Sequence, residues 1–319
     1  MKMYKIALPI VLAGSLLALT AWAAGPKKEP LGRWSYKVDT RTVKVVIIGG
    51  SIANWKAGNF GHFLETVCSN IEIKNRAQTG YGAPKLKHRF KRQFLQNPRV
   101  KLADERFEYW LMYNGGLNSI FSPEMTIKFT SELFAKAHKK GVRVAALTLT
   151  PWGSDRDKRW HDFDGLDYYD KTRKVVDFVL GKLQRNQALG RYAKEEDKAL
   201  SEWKEGELPD IGINLYDSPL RNSDVTPRDP ARLTRIFQRS RKLKKRYPNA
   251  QQAIERASRV PLWYMKPTFR AFDHIHPNSR GHREIAKRTC PLLPQSWGCS
   301  CPRLEELEWR KGKVLPIEK

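Results

Sequence analysis

The chain has 319 residues, is 40% hydrophobic, and carries 59 Lys and Arg against 33 Asp and Glu, a formal net charge of +26. That apolar content over that length excludes an unfolded chain, and one elaborated domain is expected in preference to two independent ones. So positive a field attracts polyanions such as anionic lipid headgroups, lipopolysaccharide, acidic cell-wall polymers or nucleic acid, unless it serves solubility alone.

At the start, Lys2 and Lys5 precede an apolar run from Ile6 to Leu19, and Ala21-Trp22-Ala23 puts small residues at the two positions a signal peptidase reads. Residues 1–23 therefore read as a cleaved signal peptide, its run being shorter than the roughly 20 apolar residues of a spanning helix. No Cys follows the site, which argues against a lipoprotein. An exported protein, periplasmic or extracellular, is expected, and export disfavours nucleic acid as a partner. Residues 24–40 read as an exposed leader.

Val43 to Ile48 is a continuous apolar run of strand length, and Gly49-Gly50-Ser51 ends it. A serine after two glycines suits a sharp strand-to-helix turn, because glycine permits the backbone geometry and the close approach. Helical spacing follows near Asn59 to Ser69. Ile71 to Ile73 forms a second strand, leading into the loop Asn75-Arg76-Ala77-Gln78-Thr79-Gly80, and Pro84 to Leu95 repeats apolar residues at helical spacing. Tyr109 to Tyr113 is a third strand, followed by Gly116-Leu117-Asn118-Ser119. Ser122-Pro123-Glu124 combines an N-cap, an N1 proline and an early acid, and Gly141 ends the helix. Val142 to Leu149 is a fourth strand, stopped by Pro151, and Ile211 to Leu215 a fifth.

This alternation predicts an α/β three-layer sandwich: a central parallel sheet of about five strands, with the ligand site beyond the strands' carboxyl ends. The stretch 153–259 reads as insertions around the fifth strand, with helices at Tyr169 to Leu183 and Ala231 to Arg246, that form a cap beside the active site. Lys and Arg crowd 85–101 and 231–247. Near the end, Asp273-His274-Ile275-His276-Pro277 precedes a helix over Asn278 to Lys287, and 291–319 reads as an appended tail.

A serine hydroxyl at its free pKa is a weak nucleophile and needs a base; Asp273 and His276, three apart, offer a base and a carboxylate to orient it. His274 and His282 compete locally for that role. Taken in order, Gly49-Gly50-Ser51, the loop ending at Gly80, Gly116-Leu117-Asn118-Ser119 and Asp273-His274-Ile275-His276 resemble the four blocks of the SGNH (GDSL-like) hydrolase family. The resemblance covers roughly 43–150 and 268–288 and is silent on the insertions. It implies a flavodoxin-like SGNH fold over 41–290, with Ser51 as nucleophile, His276 as base and Asp273 as its orienter. The oxyanion donors implied are the N–H groups of Ser51 and Gly80 and the side chain of Asn118. Gly82 and Asn114 compete for the last two places. Gly50 and Ser119 stand where the family has acids, which alters the local hydrogen bonding.

The activity implied is that of an exported serine esterase, with no metal or organic cofactor. The expected substrate is an O-acyl group on an envelope or extracellular glycan, with anionic envelope polymers as possible partners. Alternatives are a lipid acyl hydrolase of lysophospholipase or thioesterase type, acyl transfer to a sugar hydroxyl, and, in another class, a non-catalytic module binding envelope polyanions. Cys68, Cys290, Cys299 and Cys301 are expected to form disulfides in one of three pairings. The Cys-x-Cys spacing disfavours zinc.

Overall fold

The computed structural model describes residues 41–318 apart from 224, 225 and 263; the expected signal peptide and leader lie outside them. Strand β1 (Thr42–Gly49) is followed by helix α1 (Phe60–Val67), β2 (Ile71–Asn75) and α2 (Ala83–Phe90), which runs on into a π-helical turn at Lys91–Leu95. Then come β3 (Phe107–Asn114), α3 (Pro123–His138), β4 (Arg143–Leu147), α4 (Asp162–Val179), α5 (Arg185–Leu189) and β5 (Ile211–Ile213). The chain continues through α6 (Pro230–Arg239), α7 (Arg241–Arg246), α8 (Ala250–Ser258) and α9 (Ser279–Thr289) to the hairpin β6 (Leu307–Arg310) and β7 (Lys313–Pro316).

The five-stranded sheet has the order β2-β1-β3-β4-β5 and every pairing in it is parallel. This is the doubly wound α/β architecture with flavodoxin-like strand order. Because side chains alternate across a strand, β1 sends Val46 and Ile48 into one core and Val43, Val45 and Ile47 into the other. The first core receives Leu86 and Phe90 from α2, Phe134 from α3 and Phe178 from α4. The second receives Phe60, Phe63 and Leu64 from α1 and Ile285 from α9. Both faces being covered explains why the strands read as unbroken apolar runs.

Several boundaries differ from the sequence expectation for identifiable reasons. The fourth and fifth strands end early because Thr148 Oγ1 accepts from the N–H groups of Leu215 and Tyr216, drawing the chain out of the ladder. The helix expected over 231–246 breaks at Ser240, which leaves helical geometry and caps α7 through its side chain to the Leu243 N–H. Ser122 does not cap α3 with its hydroxyl, which instead lies 3.4 Å from that of Tyr192. Trp160, Phe163, Leu233 and Phe237 of the insertion share the core that covers the sheet.

Among the described residues, no helix is long and apolar enough to cross a membrane. The disulfides are Cys68–Cys299 and Cys290–Cys301. The first ties the end of α1 to the tail, where Trp309 stacks on His62 with ring centroids 5.0 Å apart. Three of the four sulfurs lie close enough together for a metal, but all four cysteines are bonded in pairs.

Candidate active site

In this strand order the chain leaves β1 toward β2 on one side, while β3 lies on the other. A crevice therefore opens beyond the carboxyl ends of β1 and β3, the place where such sheets bind ligands. Gly50-Ser51 leaves β1 there and Asn114 to Asn118 leaves β3.

The turn carrying Ser51 is closed by Asn54 N–H donating to the Gly50 carbonyl at 3.0 Å. It is braced from below by two side-chain amides, Asn59 and Asn75, each donating to the Ala53 carbonyl at 2.7 Å. Gly49 has to be glycine: a β-carbon on it would lie 2.3 Å from the Asn114 carbonyl oxygen.

The loop before α9 delivers the histidine. Asn278 caps α9 by accepting from Gly281 N–H and donates to the Thr268 and Arg270 carbonyls, so the loop closes on itself. Within it, Asp273 Oδ1 accepts from the N–H groups of Ile275 and His276 at 2.9 and 2.8 Å. Asp273 Oδ2 lies 2.7 Å from His276 Nδ1, and His276 Nε2 lies 2.8 Å from Ser51 Oγ. A carboxylate only accepts, so Nδ1 carries the proton and Nε2 is left to accept from the serine hydroxyl. Burial raises the Asp273 pKa, but the two backbone N–H groups and the His276 ring outweigh it and hold the carboxyl below its ordinary value.

On the other side of Ser51, the loop after β2 is fastened to the turn by Gln78 N–H to the Gly49 carbonyl and by Asn54 Nδ2 to Thr79 Oγ1. Gly80 follows at a left-handed φ of 78°. Neither the Ser51 nor the Gly80 N–H has an acceptor among the described residues. Asn118 is exposed, with Nδ2 beside Gly50 and 3.3 Å from the Tyr81 carbonyl. Asn114, its competitor, is buried with Nδ2 turned to the Thr148 carbonyl. Gly82 packs against Ser119, where a β-carbon would lie 2.9 Å from that of Ser119. Ser119 Oγ accepts from Ala83 N–H and lies 2.8 Å from Thr126 Oγ1, so this serine fastens the β3 loop to α2.

The competing histidines are engaged elsewhere. His274 Nε2 lies 2.7 Å from Asp157, a carboxyl that burial pushes up but that Arg159 and His274 draw down to about 2. His282 is fully buried between Trp55 and Phe60, and neither ring nitrogen has a hydrogen-bond partner. Burial pushes its pKa down to about 3.

The structure adds two residues that sequence reasoning passed over. Trp55 stacks on His276 at 5.7 Å, and Phe272, 83% exposed, stacks on His276 at 5.9 Å. Both are aromatic and one or four residues from a motif residue, which is the signal that was available. The cleft itself, lined by Ser51, Ile52, Leu117, Asn118 and Leu149 among others, is small, about 20 Å³.

A scan against protein-family models and a search of curated proteins give no match. Among solved structures, the chain is similar to a GDSL-like lipase from Bacteroides thetaiotaomicron, at 11% identity and a TM-score of 0.45, covering 80% of this chain and 89% of that one. A putative acylhydrolase from Bacteroides fragilis is similar at 14% identity and a TM-score of 0.41, covering 77% and 83%. An acetylxylan esterase from Geobacillus stearothermophilus is similar at 11% identity and a TM-score of 0.39, covering 82% and 100%.

Proposed function

We propose that the protein is a serine esterase of SGNH type. The observation that carries the reading is the unbroken chain from Asp273 through His276 to Ser51 Oγ, at 2.7 and 2.8 Å, in the crevice between β1 and β3. In this reading His276 Nε2 takes the Ser51 proton as Oγ attacks an ester carbonyl, and Asp273 holds the tautomer and stabilises the imidazolium. The developing oxyanion is met by the two N–H groups without acceptors, those of Ser51 and Gly80, and by Asn118 Nδ2. His276 then protonates the leaving alcohol, and water repeats the sequence to release the acid. A sugar hydroxyl in place of that water would give acyl transfer by the same steps.

For the substrate we propose a short O-acyl group on an envelope or extracellular glycan. The cleft beside Ser51 is small, which favours a short acyl group over the long chain of a lipid. Phe272, exposed beside His276, offers an aromatic face to a sugar ring. Action outside the cytoplasm is proposed with it: the leader-like start of the chain supports this, and so do two disulfides, which persist in oxidising compartments.

The test is a fluorophosphonate probe, which needs an activated serine, together with turnover of p-nitrophenyl acetate. The native protein should react with both, and Ser51→Ala, with unchanged circular dichroism, with neither. Equal labelling of Ser51→Ala would move the nucleophile elsewhere, and no labelling of the native protein would favour the non-catalytic binding module.

A further inference from the structure

We infer that the outer face of α2 and its π-helical turn is a binding groove for a negatively charged polysaccharide segment, leading past Tyr81 to Ser51. Lys85, His88, Arg89 and Arg92 stand at i, i+3, i+4 and i+7, which puts them on one helical face over about 10 Å. None of the four has a carboxylate partner among the described residues. The neighbouring Lys87 does, being paired with Glu132, and elsewhere Lys174 is matched to Glu124 and Arg173 to Asp217. Like charges stacked this way destabilise a helix.

The stripe lines a cleft of about 390 Å³ together with Tyr81. Lys85 Nζ and the Arg89 guanidinium sit 5.6 and 5.8 Å from the Tyr81 ring. Tyr81 joins the groove to the candidate active site, because its carbonyl accepts from Asn118 Nδ2 and it follows Gly80 directly. Gln93 is shared with a second cleft of about 510 Å³ that carries Arg76, Arg99 and Lys101, together with the carboxylates of Glu72 and Asp104, which pair with Lys44, Lys74 and Arg106. Arg76, Arg99 and Lys101 themselves have no carboxylate partner among the described residues. A small anion would use one or two of these groups; a row of them, extended over two clefts, matches repeated charges along a chain.

The aromatic content separates a glycan from a nucleic acid. Single strands are held on successive open rings, each stacking a base. Here Tyr81 is covered by Lys85 and Arg89, and Phe107 in the second cleft by Lys44 and Arg106. The charge on the glycan can be a uronate carboxylate or a phosphodiester, since a basic row binds either. That the groove's occupant is the substrate rests on the esterase reading, whereas the groove's preference for a charged glycan does not.

The experiment measures binding to Ser51→Ala, so that turnover plays no part. The probes are polygalacturonate, poly(glycerol phosphate), neutral dextran and a single-stranded oligonucleotide, each at low and at moderate salt. One or both anionic polymers should bind, about tenfold less tightly at moderate salt because exposed charges are screened; the one preferred identifies the anionic group. Lys85→Glu/Arg89→Glu/Arg92→Glu should lose about tenfold or more, while Arg241→Glu/Lys242→Glu/Lys245→Glu, equal in charge change and placed on exposed α7, should bind as before. Equal loss in both variants would reduce the groove to net charge and overturn it. So would tighter binding of the oligonucleotide or dextran. Fluorophosphonate labelling of the same groove variant made with Ser51 intact reports separately on the esterase reading.

Discussion

Gly50 lies so close to Asn118 that a β-carbon on it would come within 3.2 Å of Asn118 Nδ2. The residue beside the nucleophile therefore sets the space available to one of the proposed oxyanion donors. Asn118→Ala is expected to lower kcat for p-nitrophenyl acetate by about 10²–10³-fold, the usual cost of one such donor, with KM little changed. Gly50→Asp, which puts a carboxylate beside Ser51, is expected to lower kcat in the same direction by displacing Asn118. An effect confined to KM in both variants would remove Asn118 from the oxyanion site.

Asp273→Asn keeps the oxygen that accepts from Ile275 and His276 N–H but presents an amide donor to His276 Nδ1. The ring is then held in the other tautomer, with a proton facing Ser51. We expect kcat to fall by about 10⁴-fold, as it does when the same change is made in a serine protease triad, with thermal stability nearly unchanged. A loss of less than about tenfold would mean that Asp273 does not orient the base.

The sheet and the order of the candidate-site segments were legible in the residues, because strands buried on both faces are unbroken apolar runs and Asp-x-x-His is a local pattern. What joined them was not. Trp55 and Phe272 meet His276 across the fold, Cys68 pairs with Cys299 out of three possible arrangements, and the breaks at Ser240 and Thr148 arise from side chains competing with the backbone ladder. The basic residues from 85 onward were visible as composition; only α2 and its π-helical turn align four of them along one face.

Stability should fall with acid in a manner traceable to His282. Its folded pKa is lowered to about 3, against roughly 6.5 in the unfolded chain, so between those values the unfolded state binds the extra proton. The stabilising contribution is full above about pH 6.5 and declines by about 1.4 kcal/mol per pH unit below it. His282→Phe, whose ring suits the space between Trp55 and Phe60, should flatten urea-unfolding free energies between pH 6.5 and 5 by that slope. An unchanged slope would assign the acid sensitivity to other groups.

The double change Cys68→Ser/Cys299→Ser removes a link between residues 231 apart in sequence. Loss of a native disulfide costs about 2–5 kcal/mol, so a fall in Tm of several degrees is expected by calorimetry. Labelling of Ser51 at 25 °C should persist, because the tail packs on α1 rather than on the turn that carries the serine. A variant that keeps its Tm would show the tail to be held by packing alone.

Ser51 and His276 stand 225 residues apart in sequence yet share one hydrogen bond. In the proposed esterase, the serine therefore gains its base only once synthesis has passed His276 and the loop before α9 has closed. Any nascent or clipped form ending before Asp273 would be an inert polypeptide with an unactivated hydroxyl. Latency of this kind would follow from the distance along the chain between the proposed nucleophile and its proposed base.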